Sequence, residues 1–429
     1  MNPIAVELNT ILKGSTAERL LSDFGTRYFF PKGIVSQSAE AKKKAHKFNA
    51  TVGMATDGKK PLFLDSIQKL VPGLTEEEIF PYAPGGGLPG LRDVWRTEMD
   101  KKNPSLRGKS TSYPMVTSGL THGIMVTADL FVDPKDEVVV PDMFWGNYRL
   151  IFEERKSAEL KTFPFFTKEG GLNIDELEKA LRRTKGNKKI FILNFPNNPT
   201  GYSPTAKEAE DVVKMVHTLA EEGNDLLCII DDAYFGLFYE EETYKESLFG
   251  QLADLHERVL AVKTDGATKE ELAWGFRVGF LTYAAKGMTE EQYGALEKKS
   301  MGAIRSSISN ANKMAQSLLL KAMKDPSYLA QKERTFETLK RRYEKVREVI
   351  AAKEGTTTPL TPLPFNSGYF MTFLYDGDAE KLRLHLLDEY GIGTISIQNT
   401  YLRIAFSSVA LENIEELYET VYKAAQEVK

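Results

Sequence analysis

Apolar residues are unevenly spread along this chain: from about residue 116 onward they gather into short continuous runs separated by longer stretches with helical spacing. The runs at 137–140, 189–195, 226–230, 259–262 and 278–283 have strand length and are nearly unbroken, the pattern of strands buried on both faces. Between them the spacing changes to that of helices. Leu120, Ile124, Ala128 and Phe131 recur every three or four residues, and Val212, Val213, Val216, Leu219 and Ala220 do so behind a capping box of Thr205 and Glu208, as far as Gly223, a good helix stop. Alternating buried strands and amphipathic helices predict an α/β fold, with a mostly parallel sheet flanked by helices that binds its ligand at the carboxyl edge of the strands.

The two ends of the chain follow other patterns. Residues 39–47 are helical in spacing but too charged for a core, and the first 48 residues predict an arm that joins a smaller domain. Asp57 and Gly58 mark a tight turn. Residues 312–353 are strongly helical and charged, with Phe336, Leu339, Tyr343, Val346 and Ile350 along one face and no sustained heptad; Gly302 and Pro326 are expected to interrupt this region. Strand patterns at 369–374 and 401–406, and a closing helix with Leu411, Ile414, Leu417 and Val421 on one face, complete a second unit. The expected division is 1–74 as N-terminal arm and part of a small α+β domain, 75–310 as the large domain, and 311–429 as the C-terminal part of the small one.

Composition narrows the function classes. A formal charge of -4, from 60 acidic and 56 basic side chains spread through 429 residues, supplies no basic field for nucleic acid or a membrane surface. The single cysteine, Cys228, permits neither a disulfide framework nor a cysteine metal site within one chain, and the five histidines lack ligand spacing, so no metal is expected. With no basic leader before a long apolar core and no apolar run of membrane length, a cytoplasmic, reducing location is expected.

Candidate chemistry falls just past the predicted strand ends. Lys269 precedes Arg277 by eight residues, with Gly275 between them and the 278–283 run behind. A lysine against an apolar wall can lose its proton and become a nucleophile, while an arginine stays charged and grips phosphate, so the pair suits a phosphorylated aldehyde. A surface lysine and a structural arginine are the plainer alternative. Lys263 is a rival, but eight residues beyond it stands Glu271, which cannot hold a phosphate. The 226–230 run delivers Asp231, Asp232, Ala233 and Tyr234; a buried carboxylate there needs a cationic partner, unless it only caps a short helix. Asp231 is the site candidate and Asp232 is read as solvent-facing or structural. Ser118, Gly119, Leu120 and Thr121 open a helix after a strand-like entry, which is either a phosphate cradle or an ordinary capped helix. Trp145 follows a strand in a polar, turn-like setting, as a core residue or as a platform for a flat ring. Arg403 lies between apolar residues and requires a carboxylate, from a structural salt bridge or from a ligand. The glycines at 85–87 lack the Gly-Lys-Ser/Thr of a nucleotide loop, and residues 198–201 are by themselves a turn.

Together, between residues 49 and 406, these segments resemble the class I/II aminotransferases, the aspartate-aminotransferase-like enzymes of fold type I that use pyridoxal 5'-phosphate (PLP). The spacing Lys, five residues, Gly, any residue, Arg over 269–277 is similar to that family's Schiff-base segment. The resemblance implies that Lys269 holds PLP as an imine and then moves the proton at the substrate's α-carbon, that Asp231 pairs with the pyridine nitrogen, and that Tyr234 and Asn198 meet the ring oxygen. It further implies that Trp145 stacks on the ring and that Ser118, Gly119, Leu120, Thr121, Thr268 and Arg277 hold the phosphate. Tyr82 would cross to the neighbouring site of a homodimer. Gly53, Trp145, Asn198 and Arg403 would receive the substrate, with Arg403 on its α-carboxylate. The implied activity is transfer of an amino group between an L-amino acid and a 2-oxo acid. β-Elimination, C-S cleavage, decarboxylation and cyclopropane-forming chemistry use the same groups and stay open, while a PLP-sensing regulator is disfavoured because 48 leading residues are too few for a DNA-binding domain. Two positions depart from the family pattern. Gly266 stands where a serine or threonine often touches the phosphate, with Thr268 or backbone as substitute. The arginine for a distal carboxylate has no convincing match, with Arg305 and Lys313 as stand-ins, so dicarboxylic, aromatic and neutral amino acids all remain open.

Overall fold

The computed structural model describes residues 1–12, 34–51, 53–57, 60–70 and 73–428. Short strands Thr56–Asp57 and Lys60–Pro61 pair antiparallel, and Gly58 of the expected turn lies outside the described residues.

The large sheet contains β1 (Met115–Ser118), β2 (Glu137–Pro141), β3 (Glu159–Phe163), β4 (Lys188–Asn194), β5 (Asp225–Asp231), β6 (Val259–Gly266) and β7 (Val278–Ala284), in the spatial order β1, β7, β6, β5, β4, β2, β3. Neighbours run parallel except that β7 is antiparallel to both β1 and β6. The two-residue period of a strand explains the unbroken apolar runs. Ile190, Ile192, Leu227 and Ile229 face one layer, with Ile124 and Ala128 of helix Leu120–Phe131. Phe191, Leu193, Cys228 and Ile230 face the other, with Val212, Val216 and Leu219 of helix Ala206–Glu221. Both faces are covered, so neither can be polar.

Three expectations need correction. The strand expected to stop at 262 continues to Gly266, because the charges that seemed to end it satisfy one another: Lys263 ion-pairs with Asp232 and, at 3.1 Å, with Asp265, and all three are buried. Asp232 is accordingly structural and not solvent-facing. Gly302 does not interrupt its region but lies inside helix Glu290–Ser307, where buried Tyr293, Ser300 and Ile304 outweigh the ~1 kcal/mol cost of a helical glycine. Leu411, expected on the closing helix, is 39% exposed in a short turn ahead of helix Ile414–Glu427. The interruption at Pro326 is observed, between helices Lys313–Lys324 and Tyr328–Ala351.

A small separate domain holds antiparallel strands Leu360–Pro362, Met371–Tyr375, Tyr401–Ile404 and Ile395–Ile397, in that spatial order. Leu339, Tyr343 and Val346 of the long helix and Leu417 and Val421 of the closing helix share its core. Near the start of the chain, Phe48–Asn49 pairs parallel with Ile392–Gly393, and Ala405 N–H donates to the Ala50 carbonyl at 2.8 Å. That pairing carries Ala50 and Thr51 to Arg403.

Candidate active site

The register of the large sheet sets Asn194, Asp231 and Thr264 side by side at the ends of β4, β5 and β6. Ser118, which ends β1, lies opposite Val278, which begins the antiparallel β7. The turn after β1 and the segment before β7 therefore reach the same edge. A cavity of about 190 Å³ opens there, lined by Asp231, Tyr234, Lys269, Trp145 and Asn198, by Leu120, Thr121, Thr268 and Arg277, and by Asn194 and Ala233.

One end of the cavity is cationic. Gly119 caps helix Leu120–Phe131 at φ 77°, and a Cβ there would sit 2.2 Å from Arg277 Nη2, so the guanidinium lies directly over the start of the helix. Arg277 is held by its own left-handed φ of 54° and by donation from Nη1 to the Trp274 carbonyl at 3.2 Å. Helix start and guanidinium both favour an anion at this end of the cavity. Ser118 does not line the cavity with its side chain; its N–H donates to His122 Nδ1 at 3.1 Å, which makes His122 a structural histidine. Thr268 contributes a hydroxyl. It is buried, and its Oγ1 has no hydrogen-bond partner among the described residues.

The glycine at 266 has a steric cause. Gly266 pairs with Gly279 across β6 and β7, and a Cβ on residue 266 would meet the Val278 carbonyl oxygen at 2.6 Å and Gly279 Cα at 2.8 Å. A Cβ on Gly279 would in turn lie 2.5 Å from the Gly119 carbonyl carbon. The three glycines form one close backbone crossing that excludes any side chain at 266.

Around the lysine the site is buried. The Lys269 ammonium lies 4.9 Å from the Tyr234 ring centroid. Burial, with Arg277 adding to it and Asp231 opposing, pushes its amine down to about 8. Asp231 is pushed up to about 6, chiefly by burial and further by Asp232, against the hydrogen bond from Tyr148 and the Ala233 N–H. Among the described residues no lysine, arginine or histidine nitrogen lies within 4.0 Å of the Asp231 carboxylate. Lys263, the rival nucleophile, is engaged instead: burial works against its charge, but Asp232 and Asp265 together outweigh it and hold the ammonium above its ordinary value.

Arg403 is 2% exposed and reaches the site from the small domain. Its Nη1 donates to Asn198 Oδ1 and its Nη2 to the Thr51 carbonyl, each at 2.9 Å, while its guanidinium lies 4.3 Å from the Phe370 ring centroid. Its Nε has no partner and it makes no ion pair among the described residues, so the structural salt bridge considered for it is absent there. Gly53 sits against Phe370 and Tyr234: a Cβ would come within 3.1 Å of Phe370 Cζ and 3.4 Å of the Tyr234 hydroxyl. Three predicted residues lie apart. Tyr82 is 87% exposed and outside the cavity. Arg305 donates to Ser309 Oγ at 2.7 Å, and neither it nor Lys313 lines the cavity.

Three contributors escaped the sequence reading. Tyr148 donates to Asp231 Oδ2 at 2.5 Å. Asn194 donates from Nδ2 to the Asp231 carbonyl and accepts from the Asn198 N–H, both at 2.8 Å. Thr51 offers Arg403 a carbonyl. The only signal was position: Tyr148 follows Trp145 closely in the chain, and Asn194 ends the strand beside Asp231.

Comparison with known proteins places this geometry. The family profile described as aminotransferase class I and II matches residues 59–421. An aspartate/prephenate aminotransferase of Thermus thermophilus is 29% identical over 202 residues, 46% of this chain and 47% of that protein. An aromatic-amino-acid aminotransferase of Thermococcus litoralis is 27% identical over 202 residues, 47% of this chain and 48% of that one. The match thus spans about half the length of these curated relatives. A crystal structure of an aminotransferase from Anaerococcus prevotii shares the fold, with a TM-score of 0.84 and 24% identity over 96% of this chain and 99% of that chain. The chain belongs to the class I and II aminotransferase family.

Proposed function

We propose that the protein is a PLP-dependent aminotransferase that moves an amino group between an L-amino acid and a 2-oxo acid. Arg403 carries the reading. A buried guanidinium without an acid among the described residues is costly by itself, and it shares a site with a lysine whose amine is pushed down to about 8. A seat for a carboxylate beside a group that handles amines describes an amino acid.

PLP is the cofactor of this family, and the residues present fit it. The Asp231 carboxylate has no ion-pair partner within 4.0 Å among the described residues, the Thr268 hydroxyl is buried and unpartnered, and Gly119 leaves room for Arg277 over the helix start. When bound, PLP supplies an aldehyde that condenses with amines and a ring that accepts electrons from the substrate's α-carbon. Lys269 would hold the aldehyde and, once released, take a proton from the α-carbon and return it. With its amine near 8, a useful fraction is neutral at physiological pH. Asp231 would keep the ring nitrogen protonated, Tyr234 and Asn198 would bond the ring oxygen, and Trp145 would cover one ring face. Arg277, Thr268, Thr121 and the helix start would hold the phosphate. Arg403 would orient the substrate carboxylate with Gly53 close beside it.

Exposed Tyr82 suits a homodimer in which each subunit completes the neighbouring site, in a cytoplasmic setting. The named activities of the relatives make acidic and aromatic amino acids the first candidates. The test offers an amino-acid panel with 2-oxoglutarate and follows glutamate against ammonia and pyruvate. Glutamate formation supports the reading; ammonia with no amino product overturns it.

A further inference from the structure

Tyr148 joins two sides of the cavity. Its ring meets Trp145 edge-on, with centroids 5.6 Å apart at 84°, and stacks on Phe144 at 6.3 Å and 8°. Its hydroxyl donates to Asp231 Oδ2 at 2.5 Å, while the Ala233 N–H donates to Oδ1 at 3.2 Å. Both side chains are buried. A carboxylate with one donor on each oxygen is fixed in rotation about its own bond. The tyrosine is fixed too, because it is wedged among aromatic rings.

We propose that Tyr148 is a positioning residue: it sets the plane of the Asp231 carboxylate beside the seat of the cofactor's ring nitrogen and keeps that carboxylate ionised, so that the shared proton stays on the nitrogen. This rests on the proposed function above. A hydrogen bond to the charged form favours that form and makes the carboxylate a weaker base. Burial works the other way and pushes Asp231 up to about 6, with the neighbouring Asp232 adding to it. Asp232 is itself paired with Lys263, and the Ala233 N–H and Lys269 assist Tyr148. Arg277 and Arg403 are the other charged side chains at the site, and the Tyr234 hydroxyl makes no hydrogen bond to Asp231. Burial, with the charge of Asp231, holds the Tyr148 hydroxyl far above its ordinary value, so it remains a donor at every working pH.

The test is Tyr148→Phe, which removes one oxygen and keeps the ring. Infrared difference titration of the apoprotein follows the carbonyl stretch of the protonated carboxyl, with Asp231→Asn as the reference that lacks it. The wild type is expected to titrate near pH 6. In Tyr148→Phe the carboxyl should bind its proton ten- to a hundredfold more tightly, the worth of one hydrogen bond to a charged group. Should the variant fold poorly at neutral pH, the titration starts from pH 5, where a protonated carboxyl does not need the missing donor. Coincident titrations of wild type and variant overturn the inference. Failure of the wild type to form a borohydride-stable PLP adduct overturns the proposed function instead, and leaves the apoprotein titration readable.

Discussion

Thr268→Val is expected to strengthen the apoprotein and weaken the holoprotein. The Thr268 hydroxyl is buried without a hydrogen-bond partner among the described residues, in a cavity whose other end holds Arg277 and a helix start. Valine has nearly the same shape, so packing is retained and the desolvation cost of an unsatisfied hydroxyl disappears, worth about 1–2 kcal/mol. The same hydroxyl is a donor for the cofactor phosphate. A hydrogen bond to a charged group is worth about 1.5–3 kcal/mol, so PLP should bind roughly ten- to a hundredfold more weakly. Urea denaturation of the two apoproteins measures the first effect, and fluorescence titration with PLP and with pyridoxal measures the second. Pyridoxal lacks the phosphate, and its affinity should not change. Equal losses for PLP and pyridoxal, or a less stable apoprotein, would refute the assignment of this hydroxyl to the phosphate.

Other outcomes follow from the same geometry. Gly266→Ser, which restores the residue usual in the family, should lower stability by about 1–3 kcal/mol or more without tightening PLP binding, because the new Cβ meets backbone at 2.6 Å; thermal melts and a PLP titration check this. Lys269→Ala should abolish the borohydride-stable PLP adduct, as read by mass spectrometry of the intact chain. Arg403→Gln should raise KM for the amino acid roughly tenfold to a hundredfold while leaving a carboxylate-free amine unaffected, by steady-state kinetics. The lowered Lys269 amine binds its proton less tightly in the folded than in the unfolded chain, so the folded state gains stability as pH rises from about 8 toward the ordinary lysine range. Lys269→Met lacks that group, and any stability advantage it has over the wild-type apoprotein should shrink across this window in pH-dependent denaturation.

By itself the sequence determined which segments are strands and helices in the large sheet, because a strand covered on both faces must be apolar throughout and a covering helix must be amphipathic. It also marked most of the lining residues: open α/β sheets expose ligand-binding groups at the carboxyl ends of their strands, where Asp231 ends one strand and Lys269 follows another, while Asn198 was marked by the family resemblance. Tertiary structure decided everything that depends on a partner distant in the chain. Lys263 and Asp265 resemble a strand end until Asp232 is placed against them. Gly266 looks like a missing hydroxyl until Gly279 and Gly119 are found against it, leaving no volume for one. Tyr148 is one more aromatic residue after a strand until the fold brings its hydroxyl to Asp231. Local pattern records how a residue meets solvent or core, whereas the state of a buried charge is set by the few atoms around it, and those come together only when the chain is folded.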